Sequence, residues 1–592
     1  MTSPKVFRFL GYLLVTAAIV SGCALISATP QTAPAPNLPA SNLPALSSTT
    51  AQVDALPEQD LITLPQPGPW QDITQLIEYG GKLWFTNSVT GINHNSADIY
   101  SYHPATGETR YERHLFSQDA GQPVVANGLL YWPFEDPRFS ASLGEYMVTN
   151  GEQWQWRVLP EGKAFHNHAM AATPDALFSG TGAWAGQLQR SQDNGETWQV
   201  VYTHPTPSGA VSRLTTLTTL NDRLYVGVTA LRSRAAKLLQ WKNNAIAAVP
   251  DWPEGTRVRD LTSFNNWLYA INDNFDGSVT LFRTNGQTSE PVLGLAGHRV
   301  RALSAAENEL WAVSTSDAGN FLWRSNNGLD WAVMYTFESM LPLDVATVNG
   351  QVYVGGRKEN GGENGRGILM GPSTAKPLAK AEKSAIAPMP SVAASPTAAT
   401  ATEKMSKHQR DVEAILSPVA KNVDREMQQP LVDALLPLAL SRSAASAQVL
   451  SEQLQSSFSN RTPAGNGLLF GGAVEAPATT VAQWYFLWAM GLNGAGTVPV
   501  AMLNEPWTTP QNDREKYWQT VPAATWTVGQ IGQKDQPTLA ALIGRLSKES
   551  DPLWLKGDVI GALSALTNER FGYDTAAWQN WWQKTAPTFE AG

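Results

Sequence analysis

Between residues 58 and 371 the apolar positions come in short, strand-length bursts. Seven times a polar turn leads into a branched or aromatic run: GGKLWF, NGLLYW, PDALFS, NDRLYVG, NNWLYA, ENELWA and NGQVYVGG. Leu83, Leu130, Leu177, Leu224, Leu268, Leu310 and Val352 mark the same place in each unit, 42 to 47 residues apart. That period holds four short strands, and segments such as Ala97–Tyr102, Glu145–Val148 and Trp154–Val158 read as further strands between Gly, Asn and Asp turns. Seven units of this size predict a seven-bladed β-propeller. The last unit, Leu341 to Gly371, is too short for four strands, while Leu61-Ile62-Thr63-Leu64 has no place in the first. This leading segment is expected to supply the outer strand of the seventh blade and so close the ring without an open edge.

From residue 405 to 592 the period changes to 3.6. Helices with broad apolar faces are predicted over Gln429–Ser441, Ala444–Phe458, Thr479–Gly491, Ala523–Ile531, Gln536–Ser547 and Leu553–Leu566. Asp535, Asp551 and Asp574 stand where N-caps are expected. Phe571-Gly572-Tyr573-Asp574 followed by Trp578, Trp581 and Trp582 resembles the end of bacterial HEAT-repeat proteins. The resemblance is good over about 523–583 and implies that the indoles cover the apolar face of a terminal repeat. The fold class is therefore multidomain: an all-β seven-bladed propeller over 58–371 followed by an all-α HEAT-like solenoid over 405–592.

Two stretches lack the aromatic and branched residues that offset chain entropy: 23–57, rich in Ala, Pro, Ser and Thr, and 372–404. They read as a tether and an interdomain linker, where protease should cut first and leave two resistant fragments. Residues 1–22 have the layout of an export signal, with Lys5 and Arg8 before the apolar run Phe9 to Val20. Val20-Ser21-Gly22-Cys23 resembles the bacterial lipobox, which implies cleavage before Cys23 and anchorage to the lipid bilayer through the acylated thiol. Ala24 in place of Asp favours the outer membrane of a Gram-negative envelope. Cys23 is the sole cysteine, so no internal disulfide forms. A net charge of −9 without a basic run excludes a nucleic-acid partner.

Ser191-Gln192-Asp193-Asn194-Gly195-Glu196-Thr197-Trp198 matches the Asp-box (BNR) motif, and Ser325 to Trp331 is a shorter copy. In this motif Ser and Asp bond backbone amides, Gly takes positive φ and Trp packs between strands. The motif occurs in sialidases, xyloglucan hydrolases and non-enzymatic scaffolds, so it implies the hairpin and not the chemistry. No G-x-S-x-G elbow, Walker loop or H-E-x-x-H is present, and no catalytic residue or cofactor is assigned. His166 and His168 place two imidazoles on one strand face. A zinc site needs at least three protein ligands, so no metal is assigned either.

Aligning the units gives a ring of candidate ligand-binding residues. Asp72, Asp119, His166, Arg213, Arg257, Arg299 and Leu341 each stand eleven places before a marker, and His168, Arg259 and Arg301 nine before. An arc of this kind suits an anionic group such as a carboxylate, an acidic sugar or an acidic loop. The alternative is that the arginines are structural and pair with Asp260 and Asp344. Two functions remain open: a non-enzymatic envelope scaffold engaging an unidentified protein or glycan partner, or a carbohydrate-active enzyme, which an inward pair of carboxylates about 5–10 Å apart would favour.

Overall fold

Alternation does fold as strands over the N-terminal part, which is mostly β, and the helical period as helices after it. The computed structural model describes 61–373 apart from 66–67, 90–95, 140–142, 160–163, 183–184 and 359–365, with 387–389 and 425–590 apart from 460–477 and 508–519. Cys23, the signal segment, the tether up to residue 60 and most of the linker lie outside the described residues.

The described strands form seven antiparallel sets of four, the first six running up and down in chain order, with sets four and five bridged at Thr229 and Arg257. The seventh set has three strands of its own, Met340–Val348, Gln351–Lys358 and Gly367–Pro372. Its fourth is Leu61–Thr63, which pairs Leu61 with Pro372, Ile62 with Gly371 and Thr63 with Met370. The expected closure by the leading segment is what the structure contains. From set two to set seven the first strands of neighbouring sets lie side by side, and that of set seven returns against that of set one.

The sets are held by apolar layers between them, and every marker residue is buried in one. Trp84, Leu130 and Trp132 fill the space between sets one and two, Leu214, Val226 and Phe178 that between three and four. A fully buried side chain of this size contributes about 1.5–3 kcal/mol. Polar links join the inner strands as well. Asp344 of set seven accepts the Leu76 amide of set one at 2.8 Å, and Asp260 of set five accepts the Leu303 amide of set six at 2.6 Å.

The turn at 191–198 has the geometry its residues imply. Ser191 Oγ accepts the Gly195 amide at 2.8 Å, Asp193 accepts the Thr197 amide at 2.9 Å, and Gly195 has φ +87°. Trp198 is buried and donates to the Tyr146 hydroxyl at 3.1 Å.

Eight helices are described: α1 (Arg425–Ser441), α2 (Ala444–Ser459), α3 (Ala478–Asn493), α4 (Val500–Asn504), α5 (Thr520–Ile531), α6 (Gln536–Leu546), α7 (Leu553–Thr567) and α8 (Thr575–Glu590). None of the described helices is long and apolar enough to cross a membrane. Asp535 caps α6 by accepting the Thr538 amide at 2.8 Å, and Asp574 caps α8 through the Ala577 amide at 2.9 Å. Asp551 does not cap. Pro552 takes that position, and Asp551 is buried against Arg545 at 2.9 Å, because a buried guanidinium needs an anion more than a helix end does.

Helices and strands share one core, which differs from the expectation of two independent fragments. Phe139, from set two, stacks on Trp526 at 5.0 Å and lies 6.0 Å from Trp484. Helix α7 meets the strand Glu108–His114 at Gly557 and Gly561, where a Cβ would stand 2.9 and 2.8 Å from His114 atoms. Between these glycines Asp558 enters a buried polar cluster. His114 Nδ1 lies 2.8 Å from Asp98 and its Nε2 3.1 Å from Asp558, which also takes Arg138. Trp70 Nε1 and the Tyr573 hydroxyl donate to Asp98 at 2.8 and 2.9 Å.

Candidate functional site

The ring positions share a register, as the spacing predicts. Asp72, His166, Arg257 and Arg299 each open the first strand of a set, and Arg213 and Leu341 lie one or two places inside theirs. Each pairs with the residue sixteen places on: Ser88, Gly182, Asp273, Thr315, Thr229 and Arg357 respectively. Asp119 precedes its strand, Val124–Ala126, but its carbonyl accepts the Glu135 amide at 3.1 Å, the same offset. The first strands of most sets carry a bulge just beyond this position. His168 and Arg301 are themselves bulged residues, which re-aims their side chains.

The residues divide into those already satisfied and those left open. Asp72 is buried and held bidentately by Arg357, at 2.5 and 2.7 Å. Asp119 accepts the Ala120 amide at 2.8 Å and the Thr86 hydroxyl at 3.2 Å. Burial pushes its carboxyl up to about 7, and the charges of Asp72 and Glu135 act in the same direction. Arg259 binds Asp273 at 3.2 Å and donates to the carbonyls of Arg301 and Val300 at 2.6 and 2.8 Å, so it locks set five to set six.

The side chains of Arg213, Arg257, Arg299 and Arg301 make no hydrogen bond or ion pair among the described residues. The Nε atoms of Arg213 and Arg301 are buried and unpartnered, whereas Arg257 and Arg299 are solvent-exposed. Burial, then repulsion from Arg259, Arg299 and Arg357, lowers Arg301 to about 10, which leaves it charged at neutral pH. Asp260 and Asp344 are not the partners of these arginines. Their carboxylates are taken by backbone amides of the next set, which a short side chain on the bulge reaches more easily. Burial raises Asp260 to about 7 and Asp344 to about 6.

His166 and His168 are buried, with rings parallel within 15° and 5.2 Å apart. Burial lowers His166 to about 4 and His168 well below the usual imidazole range, with Arg213 adding repulsion at both. Both are neutral at pH 7. Beside them stands Glu135, with Oε1 3.8 Å from His166 Nδ1 and 3.9 Å from His168 Nδ1. The sequence reading missed Glu135, Asp273 and Arg357. All three lie five places after a marker, Asp273 and Arg357 on the second strand of their sets and Glu135 two residues past the end of Leu129–Pro133, and extending the alignment by those places finds them.

Solved structures similar to this chain are β-propeller domains and other proteins at low identity. The β-propeller domain of the Trilobed protease from Pyrococcus furiosus is 8% identical, with a TM-score of 0.37, covering 51% of this chain and 96% of that one. A chain of the mitotic checkpoint complex is 12% identical, with a TM-score of 0.38, covering 58% of this chain and 98% of that one. No protein-family model and no curated protein matches the sequence.

Proposed function

We propose that this protein is a lipid-anchored, non-enzymatic binding scaffold of the bacterial cell envelope. In this reading residues 58–371 are a seven-bladed propeller with Asp-box turns, and 405–592 are a HEAT-like helical domain docked on its side. The propeller's channel mouth engages an anionic group of a protein or glycan. The observation that carries this is the arc of Arg213, Arg257, Arg299 and Arg301, none of which forms an ion pair among the described residues, although Asp273 and Glu135 attract Arg257 from farther off. Guanidinium groups without an ion pair, at neighbouring places of three successive sets, favour a carboxylate, sulfate or phosphate. The anchor rests on the resemblance around Cys23.

The Arg257→Gln, Arg299→Gln double variant tests the arc. With Asp260 and Asp344 bonded to amides, no buried carboxylate loses a partner, so the melting temperature should change little. Binding to heparin as a polyanionic probe should weaken and lose salt dependence. A large drop in melting temperature with unchanged heparin binding would assign the arginines to architecture.

A second reading, a carbohydrate-active enzyme, is favoured by one observation: Asp119 is raised to about 7 beside the carboxylates of Asp72 and Glu135. Such a contrast in proton affinity suits an acid and base pair. It ranks second because Asp72 is tied to Arg357 and Asp119 is buried under Thr86.

A further inference from the structure

His168 is a buried imidazole without a hydrogen bond. Its Nε2 is enclosed and unpartnered, and its Nδ1 stands 3.9 Å from Glu135 Oε1, beyond hydrogen-bond reach. Neither ring nitrogen is committed to a partner, so Nδ1, the one that faces Glu135, is open to an ion. His166 Nδ1 faces the same oxygen from 3.8 Å and donates to the Glu135 carbonyl oxygen, a hydrogen bond it would exchange for the metal. One donor atom from each of Glu135, His166 and His168 falls within 4.8 Å of the other two. Ligands of a tetrahedral zinc ion at about 2.0–2.1 Å stand about 3.4 Å apart. The two Glu135 distances therefore need to shorten by about half an ångström, and the widest pair by up to about 1.4 Å.

We propose that Glu135, His166 and His168 form a site for a divalent transition metal, with zinc the ion that best suits two imidazoles and one carboxylate. Three protein ligands leave a position for water or an exogenous group. The hairpin geometry builds the site: Glu135 opposes Asp119, and His166 starts the next set with its Asn167 amide bonded to the Phe134 carbonyl at 3.0 Å. The bulge at His168 turns that ring onto His166 and completes the triangle. A hard cation such as Mg²⁺ is a poor match, since it prefers oxygen ligands.

Arg213 acts on both histidines electrostatically and Arg257 on His168, and Arg257 also feels Glu135. They oppose a bare dication. The opposition gives the site a signature that separates it from the anion reading. Removing the Arg257 charge strengthens metal binding and weakens binding of a polyanion.

The test uses the full mature chain, without a histidine tag, stripped of metal with a chelator and titrated with Zn²⁺ by calorimetry. One equivalent should bind, with Mg²⁺ unable to compete. His168→Ala and Glu135→Gln should each weaken Zn²⁺ at least tenfold. Arg257→Gln should tighten it severalfold, whatever happens to heparin binding. Co²⁺ added to the stripped chain gives a second readout, a visible spectrum of low-symmetry coordination that His166→Ala should abolish. If His168→Ala fails to fold, Glu135→Gln and the Co²⁺ spectrum of the unaltered chain still decide. Equal Zn²⁺ affinity in the unaltered chain and in Glu135→Gln overturns the site, as does less than one equivalent bound.

Discussion

Asp260 illustrates how one residue's setting differs from what its place in the sequence implies. It sits on a bulge at φ +53°, and its carboxylate accepts the Leu303 amide. Burial first, and the charge of Asp344 next, raise its carboxyl to about 7, above the ~3.9 of an unfolded chain. The folded state thus holds a proton that the unfolded state releases. The corresponding stability is present below about pH 4 and is lost as pH rises through 7. Asn at this position keeps an acceptor for the amide and cannot ionise. Melting temperatures of Asp260→Asn should therefore fall less than those of the unaltered protein between about pH 5 and 8. Parallel curves would show that Asp260 titrates normally. The neighbouring arginines, by contrast, were legible as a register and not as a state. Alignment finds Arg259 and Arg301 in equivalent places, yet one is tied to Asp273 and the next strand while the other is bare. Arg259 reaches Asp273 within its own set and two carbonyls of the next, and the repeat spacing does not say which of the two arginines does so.

Elements were the most legible scale. Six helices and three sampled strands fall within a few residues of their expected bounds, because period 2 and period 3.6 are set by burial on one face. The short α4 was not foreseen, since five residues leave no periodicity to read. Nor was the loop bearing Phe139, which has no period and acts as a wedge between Trp484 and Trp526. Phe139→Ala opens a cavity at the junction of strands and helices and should cost about 3–5 kcal/mol. Chemical unfolding followed by Trp fluorescence checks this. A loss under about 1 kcal/mol would mean that the helices do not depend on the wedge.

At the scale of the whole molecule the contact between the two parts changes what cleavage should do. Protease can still cut within 373–404, but the fragments should elute together on size exclusion, since the α7 face is buried on His114 and Phe116. Separation into two peaks at neutral pH would contradict the docking. His114 adds a pH dependence. Burial alone would lower its imidazole, but Asp558 and Asp98 outweigh burial and raise it. Its stabilising contribution is then complete below about 6.5, the unfolded value, and is lost as pH rises through the higher folded one. The cleaved complex should dissociate at lower urea at pH 9 than at pH 6. Release from the membrane is a separate property. Cys23→Ser should free the whole chain from the membrane fraction, and full retention would overturn the anchor.

The sequence by itself determined the repeat, its count, the closing strand, the helix bounds and the turn at 191–198. Each follows from local periodicity or from side chains bonding amides a few residues away. Only the tertiary structure decided which charges are spent and which are open. Arg357 takes Asp72 across the closing contact, Asp558 meets His114 and Arg138 from the helical part, and Glu135 faces two histidines of the next set. The physical reason is that the free energy of a buried charge depends on its nearest counter-charge in space, and where four-stranded sets pack on one another and on helices that neighbour comes from a distant part of the chain.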